Sequence, residues 1–226
     1  HQGRESGLSV AKLTKGIEAD ATSDKLRFLN VHYFAAGATR FGADANGAFQ
    51  YPDKEYAGFF EHTDEAASCT DCHGAHSLQV DEPSCVECHE EMEDSEDIRD
   101  IRYNFADYNG NGDDEEGVYY EVISMQEALY AAMQEYALAS VETGIAYNSG
   151  AYPYFFTDTN GDGVADADEA VRANAFAKWT PRLLQAAYNY QYVSKDPGAF
   201  AHNAAYVLQV LYDSLEDLDA DVSGME

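Results

Sequence analysis

The chain has 226 residues, 45% of them hydrophobic, with 42 acidic against 13 basic side chains and a formal charge of −29. This length supports one large domain or two small ones, and this hydrophobic content excludes wholesale disorder. The charge excludes nucleic acid as a partner, because such a surface repels phosphate backbones. It suits basic partner proteins, divalent cations, or simply a solvated surface that resists aggregation.

No stretch approaches the roughly 20 apolar residues that span a bilayer. The chain opens on His1, without a signal peptide, so a leader or further sequence is expected upstream. Residues 1–100 read as a loop-rich region holding all four Cys and six of the seven His. One helix is predicted within it, capped by Ser23, with Leu26, Leu29, His32, Tyr33 and Ala36 on one stripe before Gly42. Residues 81–100 carry ten Asp or Glu and read as a solvated linker face.

Residues 101–226 read as helical. Val122, Met125, Leu129, Met133 and Tyr136 recur at helical spacing from about 118 to 142. Thr180 before Pro181 starts another helix through Leu183, Leu184, Ala187 and Tyr190, which Asp196-Pro-Gly ends. Asn203 can cap a last helix through Val207, Leu208, Leu211, Leu215 and Leu218. The expected fold is mainly α, with little or no β-sheet. The 17 Tyr fit either a Tyr-rich core or rings packed on flat cofactors.

All four Cys lie in two motifs, Cys69-Thr-Asp-Cys72-His73 and Cys85-Val-Glu-Cys88-His89. C-x-x-C-H is the haem-attachment spacing. Two thiols three positions apart can add to the two vinyl groups of one porphyrin edge, and the adjoining His ligates the iron. A Cys₄ zinc ribbon would want about 15–20 residues between its pairs and has no use for the His. A redox C-x-x-C would want a βαβ context. Candidates for the opposite side of each iron are His62, His76, His32, His202 and His1. His76 is too near His73 to cross its own haem but is placed to reach a neighbouring one. Met92, flanked by Glu and Asp, reads as solvent-facing. The supply of His therefore favours bis-histidine iron.

Residues 158–169 match the 12-residue calcium loop. Asp158, Asn160 and Asp162 stand at positions 1, 3 and 5, Gly163 at the turn, the Val164 carbonyl at 7, Asp166 at 9 and Glu169 at 12. Ala-Tyr-Pro-Tyr-Phe-Phe before it is no helix, so a structural staple is expected and not a switching EF-hand. Asp107-Tyr-Asn109-Gly-Asn111-Gly-Asp113 starts in the same way but has Val118 at position 12. Glu115 or Glu116 can substitute, or the segment is a plain Asn-Gly turn.

With these residues the chain resembles the multihaem c-type cytochromes of bacteria and archaea that serve respiration and extracellular electron transfer. The resemblance rests on the two C-x-x-C-H motifs, on Cys-His-Gly-Ala-His and on the opening His-Gln-Gly-Arg-Glu-Ser. Asp-Thr-Asn-Gly-Asp-Gly and Lys-Asp-Pro-Gly-Ala-Phe-Ala-His-Asn add to it. It implies an electron carrier matured outside the cytoplasm, with other redox proteins or neighbouring subunits as partners, as a homo-oligomer or a segment of a longer haem chain or filament. It also implies a third haem ligated by His1, beside the two covalent haems c expected from the C-x-x-C-H motifs and the one Ca²⁺ expected from the 158–169 loop. Two other classes stay open: a multihaem oxidoreductase of the nitrite or hydroxylamine type, which needs an open iron position, and a calcium-dependent scaffold with appended haems.

Overall fold

The computed structural model describes residues 5–63, 66–94 and 96–226. Three helices form its framework: α5 (Val118–Val141), α6 (Pro181–Ser194) and α7 (Ala199–Asp217). Each packs on the other two. Earlier in the chain lie α1 (Gly7–Thr14), α2 (Ala36–Phe41), α3 (Cys69–Cys72) and α4 (Glu82–Val86). One small antiparallel sheet joins β1 (Gly144–Tyr147) to β2 (Phe155–Asp158), with Gly144 opposite Asp158 and Tyr147 opposite Phe155. Among the described residues no helix is long and apolar enough to cross a membrane.

The apolar stripe predicted for α5 is buried as a set: Val122, Met125, Leu129, Met133 and Tyr136. Thr180 caps α6 as expected, its hydroxyl accepting from the Leu183 N–H at 3.2 Å, with Pro181 in the first turn. Replacing Thr180 by Ala leaves that N–H without its acceptor inside the protein, and should cost about 1 kcal/mol in chemical denaturation. In α7 the helical dihedrals break at Asn203, whose φ is −173°. Its carboxamide oxygen accepts from the Tyr206 N–H at 3.2 Å and so caps the longer part of the helix. The other end of the Asn203 side chain donates to the Gly58 carbonyl at 2.9 Å, tying the 40–60 segment to α7.

The abundant tyrosines go into the core. Tyr188, Tyr192 and Tyr206 have no exposed surface, and burial pushes each phenol's pKa up. Their hydroxyls hold the 38–50 segment against the helices. Tyr188 donates to the Gly47 carbonyl at 3.2 Å, Tyr192 pairs with Thr39 at 3.1 Å, and Tyr206 accepts from the Ala48 N–H at 3.3 Å. Gly47 suits this contact because a Cβ there would lie 2.7 Å from the Tyr192 hydroxyl. One core cluster therefore runs from Val10 to Leu218.

The helix predicted after Ser23 does not form. Residues 25–33 run without helix, and only Ala36–Phe41 is helical. Leu26, Leu29 and Val31 are still buried, but as parts of an extended strap laid on α6. Buried polar side chains of α6 satisfy the strap and its neighbour. Gln191 accepts from the Val31 N–H at 2.7 Å, and Asn189 both accepts from the Phe49 N–H at 2.7 Å and donates to the Phe49 carbonyl at 3.0 Å. Backbone groups satisfied by tertiary partners have no need of a helix. Met92, expected in solvent, is buried at 5% exposure.

Candidate metal and cofactor sites

The two short cysteine helices lie against each other. Ser68 precedes α3 and exchanges hydrogen bonds with Asp71, whose carboxylate accepts from the Ser68 N–H at 2.7 Å; these bonds hold the Asp71 pKa down. The Asp81 N–H donates to the Cys72 carbonyl and the Ser84 hydroxyl to the Asp71 carbonyl, joining the first motif to the second. Partial burial, with Cys85 nearby, pushes the Cys72 thiol up. No disulfide joins the four cysteines. Among the described residues they also form no cluster of three or more ligand atoms within 4.8 Å, so a Cys₄ zinc site has no geometric support.

Each motif histidine instead faces a histidine brought from elsewhere. The rings of His73 and His202 lie 6.1 Å apart between centroids and are inclined at 42°. Those of His62 and His89 lie 6.0 Å apart at 45°. Metal–imidazole bonds of about 2.0 Å, with about 1.1 Å more from each nitrogen to its ring centre, put two axial imidazoles roughly 6 Å apart. The inclination is permitted because each ring can turn about the shared axis.

In two of these rings Nδ1 meets a hydrogen-bond acceptor: His73 Nδ1 is 3.1 Å from the Leu78 carbonyl and His202 Nδ1 is 2.7 Å from Asp196. His89 Nδ1 lies 3.6 Å from Glu91, an ion-pair distance only. A proton held on Nδ1 leaves Nε2 with its lone pair for a metal, and the acceptor fixes the ring's orientation. Asp196 is 2% exposed, so this acceptor belongs to the interior. Sequence reasoning did not single out Asp196 or the Leu78 carbonyl; the Asp196-Pro-Gly turn six residues before His202 was the available signal. Arg40 is another such residue. It donates to the carbonyls of Phe60 and Ala67 and reaches within 3.8 Å of Cys69 Sγ.

The remaining candidates are not paired in this way. His32, expected on a buried helical stripe, is exposed on the strap beside Tyr33. His76 is exposed in the turn after His73. His1 lies outside the described residues.

The predicted calcium loop follows β2. Asp158, Asp162 and Glu169 bring carboxylate oxygens within 4.8 Å of one another. Asp158 accepts from the N–H groups of Gly161 and Gly163, and Asn160 donates to Asp162 and Asp166 at 3.0 and 3.3 Å. Glu169 is buried. One of its oxygens accepts from the Thr159 hydroxyl and backbone and from the Asn160 N–H, which lowers its pKa. Its second oxygen is buried without a hydrogen-bond partner. A carboxylate in that setting calls for a cation. Tyr130 and Gln134 of α5 both donate to the Gly163 carbonyl, at 2.9 and 2.8 Å, and couple the loop to the framework.

The chain is 29% identical to the C-type polyheme cytochrome OmcB of Geobacter sulfurreducens over 256 aligned residues. It is also 29% identical to OmcC of that organism over 253. Each alignment covers 96% of this chain. The chain resembles the multihaem c-type cytochromes. It spans 30% of the length of OmcB and 29% of OmcC. No protein-family model matches the chain, and no solved structure does.

Proposed function

We propose that this chain is an electron-transferring segment of a multihaem c-type cytochrome, working outside the cytoplasm. One haem would be held by Cys69 and Cys72 between His73 and His202, the other by Cys85 and Cys88 between His89 and His62. The observation that carries this reading is the double coincidence of spacing. Both motif histidines face a remote histidine at the distance of an axial pair. Bound haem would supply the ferric–ferrous couple. The chain's own contribution is to fix ligand identity, ring orientation and the separation of the two motifs.

This pairing disfavours the oxidoreductase alternative, since each iron would have both axial positions taken. Exposed His32 and His76, and His1, are then available to further haems of a longer protein or of neighbouring subunits. A calcium ion at Asp158, Asn160, Asp162, the Val164 carbonyl, Asp166 and Glu169 would hold β2 and α5 together as a structural staple.

Intact mass measurement of the native protein tests the haem assignment. Two haem adducts that survive acid-acetone extraction are expected on this chain, with each Cys pair replaced by Ser losing one. Complete loss of colour on extraction would overturn the reading.

A further inference from the structure

We propose that residues 107–121 form a second site for a calcium-sized divalent cation, closed by Glu121 from α5 and not by a residue of the loop itself. Sequence spacing marks the start of this loop but not Glu121 as its closing residue, because position 12 is Val118. Val118 is the first residue of α5. Glu121 lies three residues further on, close to one helical turn, and so falls on the same face.

The two loops share a hydrogen-bond plan. Asp107 accepts from the N–H groups three and five residues ahead, at Gly110 and Gly112, both at 2.7 Å. Asp158 does the same at Gly161 and Gly163. Asn109 accepts from the Asn111 N–H at 2.9 Å, as Asn160 does from Asp162. The glycines in each loop have φ between 74° and 88°, which only glycine adopts without strain. The closing carboxylates correspond too. Glu121 Oε2 accepts from the Asn109 N–H at 2.9 Å, as Glu169 does from the Asn160 N–H.

Loop shape alone would not make a site; Glu121 does. Its side chain has no exposed surface, and Oε1 is buried with no hydrogen-bond donor. Arg102 Nη1 comes within 3.5 Å of that oxygen as an ion pair, while three of its five N–H groups donate to the carbonyls of Asn104, Ala106 and Glu116. The Glu116 carboxylate adds a third negative charge above the loop, accepting from the Asn109 and Asn111 amides at 2.6 and 2.7 Å. Asp107, Glu116 and Glu121 outnumber Arg102 by two negative charges, which a divalent cation would neutralise; their oxygens are not gathered within 4.8 Å as those of Asp158, Asp162 and Glu169 are, so binding would draw them together. Oxygen ligands from carboxylates and Asn amides suit calcium. The ion would tie the 102–116 segment to the start of α5, while the 158–169 loop braces the same helix further along.

Calcium titration of the chelator-treated, haem-loaded protein by calorimetry tests the proposal. Two binding events are expected. Glu121→Gln should remove one or weaken it at least tenfold, and Glu169→Gln the other. Asp107→Asn, away from the core, should weaken the same event as Glu121→Gln and covers the case in which the buried variant fails to fold. A single wild-type event abolished by Glu169→Gln, or an Asp107→Asn protein with two unaltered events, overturns the proposal. A single event lost in Asp107→Asn but kept in Glu169→Gln supports it and refutes the 158–169 site instead.

Discussion

If His73 and His202 share a haem as proposed, replacing His202 by Ala should turn that haem from low-spin to high-spin while leaving the covalent attachments intact. In the proposed ligation the thioether bonds would be made by Cys69 and Cys72 and the remaining iron ligand by His73, so mass and colour should persist. Only the opposite position opens, to water or an added ligand. Absorption and electron paramagnetic resonance spectra should show half of the iron converted. His62→Ala should do the same to the other haem, whereas His32→Ala and His76→Ala should leave both of these haems low-spin. The 6.1 Å and 6.0 Å ring separations are what support this pairing. Conversion by His76→Ala with an unchanged His202→Ala spectrum would reverse it.

The same site yields a finer readout. Asp196, buried and 2.7 Å from His202 Nδ1, would give a ligating ring more imidazolate character and so favour ferric iron. Asp196→Asn keeps the shape but removes the charge. If it costs the ferric state about tenfold in relative stability, the midpoint potential of that haem rises by roughly 60 mV. The second haem's potential should not move.

Calcium removal should have the second large effect. Asp158, Asp162 and Glu169 hold three carboxylates together with the inner oxygen of Glu169 unpartnered, in a chain of formal charge −29. A cation bound only to the folded state contributes about 2.7 kcal/mol at a hundredfold excess over its Kd. For a protein of this size that is roughly 5–10 °C in Tm. A chelator should lower the melting temperature by this amount, and Glu169→Gln should begin near the lower value and respond less. Screening salt should recover part of the loss, since some of it is carboxylate repulsion. A melting temperature indifferent to chelator would rule out both ion sites as staples.

What the sequence determined by itself is local chemistry. The two C-x-x-C-H motifs, the Asp158–Glu169 loop spacing, the Thr180-Pro181 cap and the Asn203 cap all act within a dozen residues. The 3.6-residue stripe of α5 is likewise legible, because one face of a long helix must be apolar to be buried. What only the tertiary structure decided is where distant groups meet. His202 reaches His73 across 129 positions because α2 packs on α7 and Asn203 pins the 40–60 segment there. Glu121 reaches the 107–113 loop because α5 starts at Val118. The strap at 25–33 is the converse case. Its leucine spacing is helical, yet buried Gln191 of α6 accepts the Val31 N–H. With that donor satisfied by another element and Leu26, Leu29 and Val31 buried against the core, packing and not local periodicity sets the conformation.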